Sequence, residues 1–210
     1  MQQILVYGDS LTWGIIPDTR RRLPFERRWP GVMEQYLIRY GRQVRVIENC
    51  LNGRRTVWND PFKPGRNGAE GLAQVIEMHS PLELVILMLG GNDFQRTHDN
   101  NAWLSAQGSE RLIHCIRQAP IEPGMPVPDI LLVAPPRISD PKGLIAAKFE
   151  GAEQRCQGHS EALAAVAEAQ STGFFDANQV ITSSRVDGVH LDESAHRTLG
   201  EALAKAVQAR

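Results

Sequence analysis

The chain has 210 residues, of which 42% are hydrophobic, and its formal net charge is −1. A chain of this length can bury one substantial core, so we expect a single domain over residues 1–210. Near-zero net charge gives no electrostatic reason to expect a nucleic-acid partner, and the absence of a run of about 18 apolar residues predicts no membrane span.

The first residues and the cysteines favour a cytoplasmic location. Only a brief apolar run without a basic lead precedes Asp9, which is not the pattern of a secretory signal. The three cysteines, Cys50, Cys115 and Cys156, are widely spaced and odd in number. They predict neither a disulfide framework nor a zinc site. Reduced thiols in a cytoplasm fit this usage, and we expect no metal or other cofactor.

The first part of the chain alternates between strand and helix patterns. An apolar run over residues 2–7 ends at Gly8 and predicts a buried strand. The pattern continues with an arginine- and proline-rich loop over 15–28, a helix from Trp29 to Gly41, a strand over 43–48, a long polar loop over 49–67 and a helix over 72–78.

The later part of the chain opens on its clearest strand. Residues 84–89 are all apolar, which is typical of a central parallel strand that is covered on both faces. The remaining predicted elements are a helix over 101–118, a proline-rich connector over 120–128, a strand over 130–134, a long helix within 144–170, a short strand over 174–176, a loop over 182–191 and a last helix from the N-cap Asp192 to Ala209.

Five strands separated by helices predict an α/β fold. The expected architecture has three layers, αβα, with a five-stranded parallel sheet between two layers of helices. We expect the flavodoxin-like strand order 2-1-3-4-5. That order places strand 1 beside strand 3 at the topological switch point, which is where open α/β sheets bind ligands.

Residues suited to acyl transfer lie near the ends of these strands. Ser10 follows strand 1, Gly53 follows strand 2, Asn92 follows strand 3, and Asp187 and His190 precede the last helix. A serine hydroxyl becomes a useful nucleophile when a base removes its proton. His190 is the candidate base, and Asp187 would orient it. Candidate donors to the oxyanion are the amides of Ser10 and Gly53 and the side chain of Asn92.

Each of these residues also has a purely structural explanation. A Gly-Asp-Ser sequence often forms a turn, and Asn92 follows glycines as a natural turn residue. Gly53 suits a position with positive φ, and Asp187 with His190 suits a loop salt bridge or a metal site. Catalysis is favoured because four independent structural explanations would otherwise be needed for residues that topology gathers at one place.

Four blocks of the sequence resemble the SGNH, or GDSL, hydrolase superfamily: Gly8-Asp9-Ser10-Leu11, Gly53, Gly91-Asn92-Asp93 and Asp187-x-x-His190. The bacterial arylesterase/acyltransferase branch is the most similar, through residues 8–14, 52–56, 133–136, 149–151, 174–177 and 187–190. The resemblance implies the SGNH hydrolase fold with Ser10 as nucleophile. It also implies that Asp187 and His190 complete a triad, and that Gly53 and Asn92 join the Ser10 amide in the oxyanion hole.

The activity that this resemblance implies is that of a serine esterase. It would hydrolyse small aryl, alkyl and acetyl-type carboxylic esters through an acyl-enzyme, with water or an alcohol as acyl acceptor. A carbohydrate deacetylase or a thioesterase with the same triad is one alternative, and a flavodoxin-like module that binds phosphate or flavin is another. The branch also implies a homo-oligomer, while the charge and the lack of a long apolar run predict no nucleic-acid or membrane partner.

Six apolar residues are candidates for the walls of an acyl or alcohol pocket, with core packing as the alternative for each: Leu11, Trp13, Phe94, Phe149, Phe174 and Val189. Trp13 is favoured because it is close to Ser10 in sequence. The basic loop over 20–28 predicts a solvated or subunit-contacting segment in preference to an anion site. His196 is expected at the surface or behind His190.

Overall fold

The computed structural model describes residues 1–210, and they form an α/β fold around one sheet. The strands are β1 (Gln2–Gly8), β2 (Val44–Cys50), β3 (Leu84–Met88), β4 (Asp129–Ala134) and β5 (Gly173–Asp176). Their order is β2-β1-β3-β4-β5, and every neighbouring pair is parallel. The predicted fold class and strand order are confirmed.

Seven helices accompany the sheet: α1 (Ser10–Trp13), α2 (Trp29–Arg39), α3 (Leu72–His79), α4 (Ala102–Arg117), α5 (Ala152–Arg155), α6 (His159–Ala169) and α7 (Glu193–Gln208). Helices α2 and α7 pack on one face of the sheet. Helices α3, α4 and α6 pack on the other. No helix in the structure combines the length and the apolar character that crossing a bilayer would require.

The alternation of side chains along β1 explains why two separate cores form. Ile4 and Val6 join the core under α2 and α7, whereas Leu5 and Tyr7 join the core under α3, α4 and α6. Successive side chains of a strand point to opposite faces of the sheet. Both faces of β1 are therefore covered, and its carboxyl end opens at the edge of the sheet where the loops gather.

The prediction of one long helix within 144–170 is wrong. Residues 143–145 and 147–149 form short 3-10 turns, and two separate α-helices follow, α5 and α6. Gly151 and Gly158 precede these helices with φ of +73° and +77°. A residue in this left-handed region cannot continue a right-handed helix, so each glycine forces the chain to restart.

The last helix begins where the sequence predicts, but its N-cap works differently. Asp192 occupies the cap position, but its side chain accepts no hydrogen bond from a helix amide. Its Oδ1 accepts a hydrogen bond of 2.8 Å from the Ser184 hydroxyl instead. Asp192 therefore ties α7 to the loop that carries Asp187 and His190.

Candidate active site

Ser10 is presented by the junction of β1 and α1. Gly8 is required there, because a Cβ on it would collide with the side chain of Thr12 and lie 3.3 Å from the carbonyl oxygen of Met88. Asp9 caps α1, and its Oδ1 accepts a hydrogen bond of 2.9 Å from the Leu11 amide. Ser10 is thus the first residue of a short helix, directly beyond the carboxyl end of β1.

The structure brings Ser10, His190 and Asp187 into one hydrogen-bonded row. The Oγ of Ser10 lies 3.2 Å from Nε2 of His190, across 180 positions of sequence. On the far side of the ring, Nδ1 of His190 lies 2.6 Å from Oδ2 of Asp187. Ser10 and His190 retain 7% and 8% exposure, so the row is nearly buried but reaches the surface at the hydroxyl end.

Asp187 is held by backbone amides as well as by the imidazole. Its Oδ1 accepts from the amides of Val189 and His190 at 3.0 and 2.9 Å. The Asp18 amide donates to Oδ2 at 3.2 Å. Burial raises the pKa of Asp187, but the hydrogen bond and charge of His190, with these amides, outweigh it and bring the pKa to about 2. Asp187 is therefore ionised at neutral pH and can stabilise an imidazolium.

The backbone amides of Ser10 and Gly53, two candidate oxyanion donors, are available to a ligand. The Ser10 amide is the first of α1, so it has no acceptor within the helix. The Gly53 amide donates to no acceptor in the chain, and Gly53 has φ of +83°, a conformation that favours glycine. Free amides that converge near a nucleophile are suited to holding an oxyanion.

The third candidate donor, Asn92, is fixed by three hydrogen bonds of its side chain. Its Nδ2 donates to Oδ2 of Asp9 at 2.9 Å and to the Arg54 carbonyl oxygen at 3.1 Å. Its Oδ1 accepts from Nε2 of Gln95 at 2.6 Å. These partners determine which side of the amide carries the nitrogen, and they direct it towards the Ser10 end of the site.

Asp9 is a second buried carboxyl close to the triad. Burial raises its pKa to about 6, although the Leu11 amide, the charge of His190 and the Asn92 side chain all lower it. Arg54 lies nearby with its guanidinium 3.9 Å from the centre of the Tyr7 ring, and its Nη1 donates to the Gly8 carbonyl oxygen at 3.0 Å. Asp9 and Arg54 were not predicted to act at the site, although both lie next to residues that were.

The six candidate pocket residues separate into two groups. Phe94, Phe149 and Val189 share a small buried cluster next to His190. The other three do not join it. Leu11 belongs to the core under α2 and α7, Trp13 is half-buried with the Arg22 guanidinium 4.7 Å from its ring centre, and Phe174 is 36% exposed on β5. Two strands separate β5 from β1, so Phe174 lies roughly 14 Å from the strand that presents Ser10.

The basic loop over 20–28 is partly internal. Arg28 is buried, donates to Oε1 of Glu48 at 3.0 Å, and reaches the Leu23 carbonyl oxygen at 2.7 Å. Arg22 donates to the Trp13 carbonyl oxygen at 2.7 Å and to Glu48 at 3.2 Å. The expectation of a solvated segment is therefore wrong for Arg28. Composition alone could not reveal that Glu48 on β2 is the partner of Arg28.

Two buried histidines lie close to the site without belonging to the triad. His196 is fully buried, and its Nδ1 accepts a hydrogen bond of 3.3 Å from the Trp29 amide, so it lies behind the site rather than at the surface. His159 lies edge-on to the Phe94 ring, and its Nε2 is 3.1 Å from Oγ of Ser105. Neither imidazole faces a carboxylate at salt-bridge distance.

Because these two histidines are buried, we expect acid to destabilise the fold. Burial lowers the pKa of His159 to about 4, and burial with the charges of Arg28 and His190 lowers the pKa of His196 to about 3. The imidazole of an unfolded chain has a pKa near 6.5. As pH falls below that value, the unfolded chain therefore binds more protons than the folded chain does. Stability is full above about pH 6.5, and we expect about 2 kcal/mol per histidine to be lost by about pH 5.

Urea unfolding of the wild type and of His159→Gln between about pH 8 and about pH 5 measures this loss, and the variant should lose about 2 kcal/mol less over that range. The raised pKa of Asp9 acts in the opposite direction and offsets part of the wild-type loss, but it is common to both proteins. Parallel stability curves for the two proteins would contradict the assignment.

Comparisons with known proteins agree with the geometry. The sequence model of the GDSL-like Lipase/Acylhydrolase family matches residues 6–198. An arylesterase from Vibrio mimicus is 33% identical over 92 residues, and this match spans 44% of the present chain but only 38% of the Vibrio protein.

Two solved structures resemble the whole chain. The aryl esterase of M. smegmatis is 36% identical with a TM-score of 0.93, and the alignment covers 100% of this chain and 99% of that one. A carbohydrate acetylesterase from Sinorhizobium meliloti is 32% identical, with the same TM-score and the same coverage.

Proposed function

The chain belongs to the GDSL-like lipase/acylhydrolase family, and on that premise we propose that it is a serine esterase that hydrolyses small carboxylic esters through an acyl-enzyme on Ser10. One observation carries this proposal: Ser10 Oγ, His190 Nε2 and Nδ1, and Asp187 Oδ2 form a row with separations of 3.2 and 2.6 Å. A serine in contact with a base, and a base oriented by a carboxylate, is the arrangement that nucleophilic acyl transfer requires.

In the acylation step His190 acts first as a base and then as an acid. Its Nε2 takes the Ser10 proton as Oγ forms a bond to the carbonyl carbon of the ester. Asp187, ionised beside Nδ1, stabilises the resulting imidazolium. Nε2 then returns the proton to the departing alkoxide, the carbon–oxygen bond to the alcohol breaks, and the acyl group remains on Ser10.

The negative oxygen of the tetrahedral intermediate is held on the side of the site away from His190. The Ser10 and Gly53 amides lack acceptors in the chain and are free to donate to it. Asn92 completes the set by turning one N–H from its present acceptors towards the intermediate. The neighbouring Asp9 carboxylate polarises that amide, which strengthens the donor.

Deacylation repeats these steps with a new nucleophile. His190 removes a proton from water, the hydroxide oxygen attacks the acyl carbon, and the bond to Ser10 breaks as Nε2 returns the proton to Oγ. An alcohol in place of water would yield a new ester instead of an acid. Acyl transfer to alcohols is accordingly part of the proposal.

Labelling with a fluorophosphonate tests the assignment directly. The reagent forms a covalent bond to an activated serine, and mass spectrometry of the purified protein should locate it on Ser10 and on no other serine. Stoichiometric labelling at a different serine, or no labelling of an active protein, would contradict the proposed nucleophile.

Deacetylation of sugars is the second candidate activity, favoured by the whole-chain similarity to the Sinorhizobium meliloti carbohydrate acetylesterase. Parallel rates on 4-nitrophenyl acetate, an acetylated sugar and acetyl-CoA separate an aryl esterase, a carbohydrate deacetylase and a thioesterase. Tight flavin binding without ester hydrolysis would instead support a flavodoxin-like binding module. The family match and the Asp187–His190 pair favour the hydrolase.

Replacement of Asn92 by alanine should slow catalysis without removing the nucleophile. Loss of one preorganised oxyanion donor costs roughly 2.7–4 kcal/mol of barrier, or about 10²–10³ in kcat. Steady-state kinetics on 4-nitrophenyl acetate measure this change. Asn178→Ala is the matched control, because that half-buried asparagine bonds to Arg137 and Pro135, outside the candidate site. Equal rates for the two variants would remove Asn92 from the mechanism.

Self-association and a cytoplasmic location are further parts of the proposal. Large apolar side chains stand on the surface at Phe62, Leu144 and Trp103, which are 83%, 76% and 62% exposed. Exposed apolar side chains of this kind are suited to contacts between copies. The three cysteines are free thiols, which suits a reducing compartment. Sedimentation velocity and cell fractionation test these two statements, and a monomer would reject the first.

A further inference from the structure

A cavity of about 590 Å³ has Gln95 in its wall, three residues after the candidate oxyanion donor Asn92. Its walls come from three segments of chain: residues 60–63 of the long loop after β2, residues 95–97 after the turn that carries Asn92, and Ala147 with Lys148. None of these residues takes part in the proposed triad. The cavity is therefore distinct from the reacting centre, although it is close to it.

One contact connects the wall of this cavity to the candidate oxyanion donors, and Arg66, which is outside the wall, lies near Gly53. Gln95 lines the cavity, and its Nε2 donates to Oδ1 of Asn92 at 2.6 Å. Arg66 approaches Gly53 from the same loop that carries Lys63. Its Cγ lies 4.0 Å from the position that a Cβ on Gly53 would occupy, and its Nε donates to the Asn52 carbonyl oxygen at 3.1 Å. The Gln95 side chain therefore joins the wall of the cavity to the candidate oxyanion donor Asn92.

The cavity carries an excess of positive charge. Arg96 is paired with Glu150, and Asp60 lies 3.4 Å from Arg55 while its Oδ1 accepts from the Phe62 amide at 2.9 Å. Lys63 and Lys148 form no ion pair with any carboxylate. The cavity wall thus contains Lys63, Arg96 and Lys148 against one carboxylate, Asp60, which is not within ion-pair distance of either lysine.

Burial and neighbouring positive charges disfavour the charged forms of both lysines. Burial lowers the pKa of Lys63, and the charges of Arg66 and Arg20 lower it further, against Asp60. Burial also lowers the pKa of Lys148, where Asp60 opposes the shift and Arg55, Lys63 and Arg20 add to it. Arg55 is itself fully buried, and its Nε and Nη1 lack partners. Like charges held together in this way are stabilised when an anion binds among them.

We propose that this cavity is a subsite for an anionic group, a carboxylate or a phosphate, carried by the ester substrate. Lys63 and Lys148 would bind the anion while the ester carbonyl lies at Gly53 and Asn92. Phe62, 83% exposed at the mouth of the cavity, offers an aromatic face to the carbon skeleton between the two groups. This subsite rests on the proposed esterase function and deepens it by naming the substrate class.

Three esters distinguish where the anion is carried. 4-Nitrophenyl acetate is neutral, 4-acetoxybenzoate carries a carboxylate on the departing alcohol, and mono(4-nitrophenyl) glutarate carries one on the acyl part. We expect the wild type to show a higher kcat/KM, mainly through a lower KM, for one of the two anionic esters relative to the neutral ester. Raising NaCl from about 0.05 M to about 0.5 M should reduce this preference, because screening weakens the attraction.

The measured quantity is kcat/KM for the preferred anionic ester divided by kcat/KM for the neutral ester. The double variant Lys63→Gln/Lys148→Gln should lower this ratio about tenfold, because partly exposed charge pairs each contribute a severalfold effect. Lys63→Arg/Lys148→Arg keeps both charges and should retain most of the ratio, which separates charge from a folding defect. Lys205→Gln, an exposed lysine on α7, is the matched control and should leave the ratio unchanged.

An unchanged ratio in the glutamine double variant, or a wild type that favours the neutral ester at low salt, would overturn the subsite. Either result can be obtained with an enzyme that hydrolyses neutral esters through Ser10. Failure of the esterase proposal has a different signature, namely full activity in Ser10→Ala, so the two proposals are tested separately.

Discussion

Replacing Ser10 with alanine is expected to lower kcat for 4-nitrophenyl acetate by about 10⁵-fold or more, because loss of a triad nucleophile removes the acyl-enzyme pathway as a whole. The hydroxyl has one hydrogen-bond partner in the chain, Nε2 of His190 at 3.2 Å. Its removal should therefore leave the fold intact. Steady-state kinetics, with fluorophosphonate labelling of the same preparation, measure both consequences.

The matched control for this variant is Ser109→Ala. Ser109 is also buried, and its hydroxyl donates to the Ser105 carbonyl oxygen within α4, on the other side of the sheet from α2 and α7. It should keep wild-type kinetics and labelling. Undiminished turnover by Ser10→Ala at matched protein purity would remove Ser10 from the mechanism and the esterase proposal with it.

The substitution Asp187→Asn is expected to have the second largest effect, a loss of about 10³–10⁴ in kcat. The carboxylate accepts the hydrogen bond from Nδ1 and three more from the amides of Val189, His190 and Asp18. An asparagine can accept on one side only. Its NH₂ group would either face the amide donors or face Nδ1, and the second choice selects the tautomer that cannot take the Ser10 proton.

The ionisation of Asp187 determines where this loss should be visible. With its pKa at about 2, the wild-type carboxylate is charged throughout the neutral range, so the deficit of Asp187→Asn should persist from about pH 6 to about pH 9. Asp129→Asn, at an exposed carboxylate that begins β4, is the control. A loss below about tenfold would show that the amide network alone orients His190.

Strong local signals explain why the architecture could be predicted from the sequence. The apolar run over 84–89 has no polar side on which to face water, and the structure places β3 at the centre of the sheet with both faces covered. The alternation of strands with helical patterns implies parallel pairing. Because the carboxyl ends of parallel strands share one edge, the sequence predicts that Ser10 and Asn92 are neighbours.

The prediction of one long helix within 144–170 failed because it rests on local propensity, as the correct predictions of strands do. Alanine and other helix-forming residues dominate that stretch, whereas Gly151 and Gly158 adopt positive φ and flank the segment that places Cys156 in the small cluster beside His190. Propensity is a local average, and tertiary contacts override it at single positions.

The five strands, their parallel order and the residue types that could carry out acyl transfer were readable from the sequence, because each of these depends on patterns a few residues long. The contacts between side chains are visible only in the folded chain: Gln95 against Asn92, Arg66 beside Gly53, Arg28 against Glu48, and two lysines without an ion-pair partner. Such contacts join side chains whose separation along the chain carries no periodic signal. They depend on where the sheet delivers each loop, and they define the chemical environment in which the predicted residues would act.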